Sequence, residues 1–220
     1  MEVTVLGATG LTGGCFVQQA LSSEAVSRVV TLTRRSLPIQ SAKLHSVISD
    51  LSEWSTQVRG SAIFSGLATS RRAAGGFDKQ YLLEHDENLR LAKAGKERGV
   101  KTYILVSSSG ANDKSMFPYM RLKGECERDI IGLGFDHTVI LRPGIIIGPR
   151  SVPRYAEAIA QYFFRFLRLV SRGTLTRSMA IDASDIAKAA MLCLESQHQN
   201  PNANKITTLN NAAMLELAKA

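Results

Sequence analysis

Residues 2–21 constrain the fold more than any other stretch. A short β-branched strand, Glu2-Val3-Thr4-Val5-Leu6, runs into Gly7-Ala8-Thr9-Gly10-Leu11-Thr12-Gly13 and then into an apolar helix from Cys15 to Leu21. Strand, glycine turn and helix in that order form a cradle for a dinucleotide pyrophosphate. Gly7 turns the chain sharply off the strand, Gly10 lets backbone N–H groups approach phosphate, and Gly13 lets the helix pack closely on the sheet, its positive dipole end toward the anion. With 17 glycines in 220 residues, spaced triplets also arise by chance, so the flanking strand and helix carry the inference. The spacing Gly-x-x-Gly-x-x-Gly marks a variant of the dinucleotide turn, and the Gly-Lys-Ser/Thr ending of a kinase-type phosphate loop is missing.

Beyond the turn, strand-like and helix-like segments alternate. Val29–Thr33, Leu44–Ile48, Ala62–Gly66, Thr102–Val106 and His137–Leu141 are short apolar runs bounded by turn residues, the pattern of buried parallel strands. A helix is predicted from Lys79 to Arg98, closed by Gly99, and another from Ser184 to Ser196, capped by Ser184 with Asp185 in its first turn. A strand from Lys205 to Leu209 and a helix from about Ala212 complete the chain. This rhythm predicts an α/β fold, a doubly wound parallel sheet of the Rossmann-like, NAD(P)-binding type, with ligands outside the carboxyl ends of the strands. Residues 1–220 read as one domain, with 151–220 contributing a small C-terminal elaboration on the substrate side.

Composition narrows the partners. Lys plus Arg exceed Asp plus Glu by 27 to 19, for a net charge of +8, which suits a phosphorylated ligand or an anionic surface. The basic blocks are only pairs, Arg34-Arg35 and Arg71-Arg72, with no alternating aromatics, which argues against nucleic acid. Cys15, Cys126 and Cys193 have neither pairing nor metal-ligand spacing and suit a reduced compartment. The four histidines are scattered as well, so no metal is expected. The first strand begins at residue 2 and its removal would destroy the glycine turn, so no cleavable leader is expected. No run reaches the ~20 apolar residues that span a bilayer, leaving soluble or peripheral placement. One further helix, Tyr155 to Val170, mixes Tyr162, Phe163, Phe164 and Phe166 with Arg165 and Arg168. It reads either as a core or substrate-side helix or as a basic amphipathic face for a membrane or protein partner.

The second strand selects the cofactor. An NAD site carries an acid at that strand's end to hold the ribose 2′-hydroxyl, whereas here the strand ends Thr33-Arg34-Arg35-Ser36. Two guanidiniums can pair with a 2′-phosphate and stack on adenine, so NADP(H) is expected over NAD(H). Asp50, after the third strand, is a candidate for the adenine amino group or for a turn cap.

The reactive groups follow. Tyr119 and Lys123 are four apart at the start of a helix, so they project from one face. An ammonium near a phenol favours the phenolate and lowers the tyrosine pKa from about 10, which makes the phenol a usable proton donor and acceptor beside a hydride source. Ser107-Ser108-Ser109 ends the fifth strand, where a hydroxyl can bond a substrate oxygen.

The set Gly7-Ala8-Thr9-Gly10-x-x-Gly13, Ser107-Ser108, Tyr119-x-x-x-Lys123 and Arg142-Pro143-Gly144 resembles the short-chain dehydrogenase/reductase superfamily in its atypical branch. Leu67-Ala68-Thr69-Ser70 with Ala73-Ala74-Gly75, the run Val106 to Ala111 and Tyr119 to Glu125 are similar to the Tat-interactive-protein oxidoreductases, especially their fungal mitochondrial outer-membrane members. The resemblance covers residues 2 to about 150 well and the C-terminal third loosely. It implies Tyr119 as proton donor or acceptor, Lys123 at the nicotinamide ribose, and Ser108, with Ser109 as the alternative, orienting substrate. It also implies Pro143-Gly144 on the nicotinamide side, and with the residue-level reading above the expected cofactor set is Gly7, Ala8, Thr9, Gly10, Leu11, Gly13, Arg34, Arg35, Asp50, Leu67, Ala68, Thr69, Lys123, Pro143 and Gly144. Two functions are compatible with these residues: an NADP(H)-dependent oxidoreductase acting on a small-molecule carbonyl or alcohol, and an NADPH-sensing regulatory protein with little turnover. A mitochondrial outer-membrane location, peripheral, is implied by the resemblance alone.

Overall fold

Alternation along each central strand sends successive side chains to opposite faces, and both faces are apolar. Val3, Val5, Val29, Phe64, Ile104, Val139 and Leu141 point to one side, and Leu6, Val30, Leu32, Ile63, Tyr103, Leu105 and Ile140 to the other. A sheet apolar on both faces must be covered twice, which dictates helices on each side.

The computed structural model describes residues 1–148, 179–200 and 202–219. Its elements are β1 (Glu2–Leu6), α1 (Leu11–Ser22), β2 (Arg28–Thr33), β3 (Leu44–Ile48), α2 (Trp54–Gln57), β4 (Ala62–Ser65), α3 (Arg71–Ala74), α4 (Phe77–Tyr81), a π-helical turn (Leu82–Asp86), α5 (Glu87–Glu97), β5 (Thr102–Val106), α6 (Pro118–Gly132), β6 (His137–Arg142), β7 (Ile145–Ile147), β8 (Ala180–Asp182), α7 (Ala183–Gln199), β9 (Ile206–Asn210) and α8 (Asn211–Leu217). Seven strands pair in parallel in the order β3-β2-β1-β4-β5-β6-β9. This is the expected doubly wound Rossmann-like sheet. Its order reverses between β1 and β4, so the crevice of the topological switch point opens beside the glycine turn.

On one face α1 packs against α7, with Phe16, Val17 and Ala20 meeting Ile186, Ala187, Ala190 and Leu194 in one cluster. Phe16 also stacks on Phe64, with ring centroids 4.0 Å apart. On the other face Trp54, Leu91, Ala92, Cys126 and Ile130 cover the sheet from α2, α5 and α6. Of the C-terminal stretch expected on the substrate side, α7 and β9 are part of these layers, while β8 pairs with β7 in a separate two-stranded ribbon. The helix expected over Tyr155–Val170 lies outside the described residues.

Several boundaries differ from expectation. The helix predicted from Lys79 runs from Phe77 to Glu97 as α4, the π turn and α5 end to end, and Gly99 closes it at a positive φ of 79°. Ser184 does not cap α7: the helix starts one residue earlier, with Asp182 at the N-cap position. Asn210 caps α8 by accepting from the Ala213 N–H at 2.9 Å.

Candidate functional site

Gly7 and Gly13 meet the steric demands placed on them. Gly7 has φ +78°, and a Cβ there would lie 2.6 Å from the Gly66 carbonyl oxygen, while a Cβ on Gly13 would lie 2.2 Å from the Gly7 carbonyl oxygen. The turn therefore packs backbone to backbone against the β4 end and against α1. The Gly10 N–H closes it on the Gly7 carbonyl at 2.9 Å. No side chain caps α1 and its first turn carries no acid, so the positive end of the helix dipole faces the crevice without a competing carboxylate. Thr9 and Gly10 are exposed at this mouth, Leu11 is half-buried, and Ala8 is buried beneath them.

The other candidate cofactor residues fall at successive strand ends. Arg34 and Arg35 follow β2 directly and are both exposed, with no acid in β2. Asp50 occupies the N-cap position of a short 3-10 turn, but its carboxylate makes no capping bond and remains exposed. Leu67, Ala68 and Thr69 follow β4 and are fastened from the helix above. Asn88 Nδ2 donates to the Leu67 carbonyl at 3.2 Å, Gln80 Nε2 donates to the Thr69 carbonyl at 3.0 Å, and the Thr69 N–H donates to Glu84 Oε1 at 3.0 Å. Pro143 and Gly144 tie the ends of β5 and β6 to the C-terminal part. The Ser109 N–H donates to the Pro143 carbonyl at 2.7 Å, and the Gly144 N–H donates to Asn211 Oδ1 at 2.8 Å.

The three serines separate into different environments. Ser107 is buried and donates to Glu127, which itself receives Arg142 Nε at 3.0 Å and Nη2 at 2.5 Å. The Glu127 bond raises the Arg142 pKa further, so the guanidinium stays charged. Ser107 is thus committed to holding the β5 end. Ser108 is half-buried and Ser109 exposed, and the only bond of the Ser108 hydroxyl among the described residues is a 3.3 Å donation to the Ser109 carbonyl. These two remain available to a ligand. The loop after them folds back on α6, the Asn112 N–H donating to the Met120 carbonyl at 3.0 Å.

Tyr119 stands in the first turn of α6, opened by Pro118 at a position where the missing N–H costs nothing. It is 40% exposed beside the more exposed Met116 and Phe117. One turn on, the Lys123 ammonium lies 5.8 Å from the centroid of the Tyr119 ring. Lys123 itself is 4% exposed, and its Nζ meets Glu84 Oε2 at 2.6 Å. Burial alone would lower the lysine pKa; the Glu84 charge and the neighbouring Tyr119 outweigh it, and the net direction is upward. The group is therefore a cation throughout the physiological range.

Sequence reasoning missed Glu84, Glu127 and Asn211. Glu84 had a legible signal: Gln80, Glu84 and Asn88 recur at four-residue spacing in one predicted helix, and all three are buried. Glu127 and Asn211 had none, because their partners are distant in sequence.

Comparison with known proteins gives the family and the fold. The family model described as NAD(P)H-binding matches residues 7–197. "Protein fmp52-1, mitochondrial" of Aspergillus terreus is 44% identical over 199 residues, covering 86% of this chain and 85% of its own. "Protein FMP52, mitochondrial" of Saccharomyces cerevisiae is 47% identical over 157 residues, 69% of this chain and 68% of its own. Among solved structures, MoeE5 in complex with UDP-glucose and NAD superposes with a TM-score of 0.70 at 21% identity, over 96% of this chain and 75% of that one. A UDP-glucuronic acid 4-epimerase from Bacillus cereus in complex with NAD gives 0.68 at 16% identity, over 96% and 76%. These structural likenesses speak to the fold, and the sequence matches to kinship. The chain belongs to the NAD(P)H-binding family and is kin to the fungal FMP52 proteins.

Proposed function

We propose that this protein is an NADP(H)-dependent oxidoreductase that exchanges hydride with a carbonyl or alcohol. The observation that carries the reading is the placement of Tyr119 over the Lys123 cation at the end of the sheet where the uncapped α1 and the serine loop also open. The cofactor fits this chain: the 7–13 turn would hold its pyrophosphate, Arg34 and Arg35 its 2′-phosphate, and Asp50 and Leu67–Thr69 its adenosine half. When bound, NADP(H) supplies the hydride. Tyr119 donates the proton that a reduced carbonyl oxygen takes up, or accepts it in the reverse direction. Ser108 or Ser109 donates a hydrogen bond to that oxygen and so fixes the carbon facing the nicotinamide. Lys123 keeps a positive charge near the phenol, and Pro143-Gly144 shapes the nicotinamide side. Met116 and Phe117, exposed beside Tyr119, offer apolar surface to the rest of the substrate.

The preference for NADP(H) rests on charge. Exposed Arg34 and Arg35 attract a 2′-phosphate, and no carboxylate at the β2 end repels it. The test is a calorimetric titration with NADPH and NADH beside Arg34→Glu. Micromolar NADPH binding that the substitution weakens at least tenfold, with NADH little changed, supports the reading, and equal binding of both cofactors by wild type overturns it. Turnover is tested in Tyr119→Phe, which retains cofactor binding and loses NADPH oxidation; unchanged turnover removes Tyr119 from the chemistry.

The relatives are named mitochondrial, and we propose peripheral attachment to the outer mitochondrial membrane for this chain too. No helix among the described residues is long and apolar enough to cross a membrane. Release from isolated mitochondria by alkaline carbonate, with digestion by external protease, is the expected behaviour, and protection from protease in intact organelles would refute it.

A further inference from the structure

Gln80, Glu84 and Asn88 form a buried polar stripe in a helix whose other inward residues are mostly apolar. Three of its bonds hold the 67–69 loop, as described above, Asn88 Oδ1 accepts from the Ser65 and Tyr103 hydroxyls, and the rest converge on Glu84. Gln80 Nε2 donates to Glu84 Oε1 at 3.0 Å. The π-helical turn that carries Glu84 turns its carbonyl toward two further donors, Asn88 Nδ2 at 2.9 Å and the Cys126 thiol at 3.4 Å. The carboxylate is thus fixed in place through Oε1, while Oε2 pairs with the Lys123 ammonium at 2.6 Å. A π turn at such a place is common at functional sites.

We propose that Glu84 is a positioning and charge-balancing residue for Tyr119 and Lys123: it anchors the ammonium and offsets its field at the phenol. The proposal rests on the reading of Tyr119 and Lys123 as the reactive pair. An ammonium this near, 5.8 Å from the ring centroid, acts to shift a phenol toward its phenolate. A carboxylate held against that ammonium takes back a large part of this shift. The pH at which Tyr119 exchanges its proton is then set by the ion pair and not by the lysine alone.

Among the described residues, Glu84 is the one carboxylate acting on the ammonium. Besides Glu84, Tyr119 and Cys126 act on Lys123, and burial pushes the Cys126 thiol up to about 12, so it stays neutral. On α6, Glu125 receives the Tyr81 hydroxyl and Glu127 is engaged by Arg142; His85, next to Glu84, turns to Asp86 and Asp129. Thr69 meets the cluster through its backbone, the N–H donating to Glu84 and the carbonyl accepting from Gln80.

The experiment follows the Tyr119 phenol by NMR in protein labelled with ¹³C at tyrosine Cζ, the resonance being the one lost in Tyr119→Phe. It needs neither cofactor nor substrate, so absence of turnover would remove the proposed function without touching this result. Glu84→Gln is expected to move the titration midpoint to lower pH by about one unit, with Glu84→Asp restoring it. The double variant Glu84→Gln, Lys123→Met removes both buried charges, and it decides the matter even where the single variant fails to fold. A midpoint within one pH unit of wild type in the double variant supports the proposal. A midpoint unchanged or raised in Glu84→Gln overturns it, as does a rise of more than one unit in the double variant, since the lysine would then act unbalanced.

Discussion

Replacing Arg142 by methionine isolates the contact that holds the end of β5 to α6 and β6. Glu127 is 3% exposed, and its carboxylate takes Arg142 Nε at 3.0 and 3.2 Å and Nη2 at 2.5 Å, besides the Ser107 hydroxyl. Methionine keeps the aliphatic stem and removes the charge, leaving a buried carboxylate with one neutral donor. Losing one partner of a fully buried pair costs about 3–5 kcal/mol. The Arg142 side chain is 38% exposed, however, so water can reach the vacated side, and we expect about 2 kcal/mol. For a chain of this length that is a fall in melting temperature of about 4–8 °C. Glu127→Gln in the same background removes the stranded charge. The double variant should therefore recover part of the loss, with a coupling of at least about 1 kcal/mol in a cycle of urea and thermal melts. Because Arg142 leads into Pro143-Gly144 and Ser107 leads into Ser108, NADPH affinity should fall with Arg142→Met and recover in the double variant. Strictly additive losses across the cycle would refute the argument.

Three further outcomes are expected. Gly13→Ala places a Cβ 2.2 Å from the Gly7 carbonyl, so α1 must move; destabilisation of about 1–3 kcal/mol with at least tenfold weaker dinucleotide binding should follow, and wild-type affinity would contradict it. Stability should fall as pH rises above about 9. Burial pushes Cys126 up to about 12 and Cys193 up to about 11 from 9.0, and Lys123 and Tyr103 are also raised. Each group holds its proton more tightly folded than unfolded, so the stabilisation is complete below the unfolded-state pKa and disappears on the way up to the folded one, at roughly 1 kcal/mol per pH unit per titrating group. Urea midpoints that stay level or rise between pH 8.5 and 11 would contradict this sign. Finally, Cys126, being 2% exposed, should resist a thiol reagent at pH 8 until the protein unfolds, and rapid labelling of the native protein would show otherwise.

The sequence determined the sheet and the mouth of the site. Buried parallel strands are apolar runs, so β1, β2, β4, β5 and β6 were readable to within a residue; β3 kept its expected bounds although, as an edge strand, it is not buried; and the glycine turn could be placed because its demands are local and steric. The Tyr119-Lys123 spacing was legible for the same reason, since one helical turn brings them together. β7 and β8 were not, because three-residue strands acquire meaning only through each other. Nor was the N-cap position of α7, where Asp182 and Ser184 are both competent residue types and Asp182 takes the position without a side-chain capping bond. The tertiary structure alone assigned Ser107 to Glu127 and Arg142, and left Ser108 half-buried and Ser109 exposed. It alone brought Glu84 from one helix against Lys123 of another. Local sequence fixes which groups share a turn or a strand end. Which charges are buried together depends on contacts between distant segments, and in a low-dielectric interior those contacts set how a reactive group behaves.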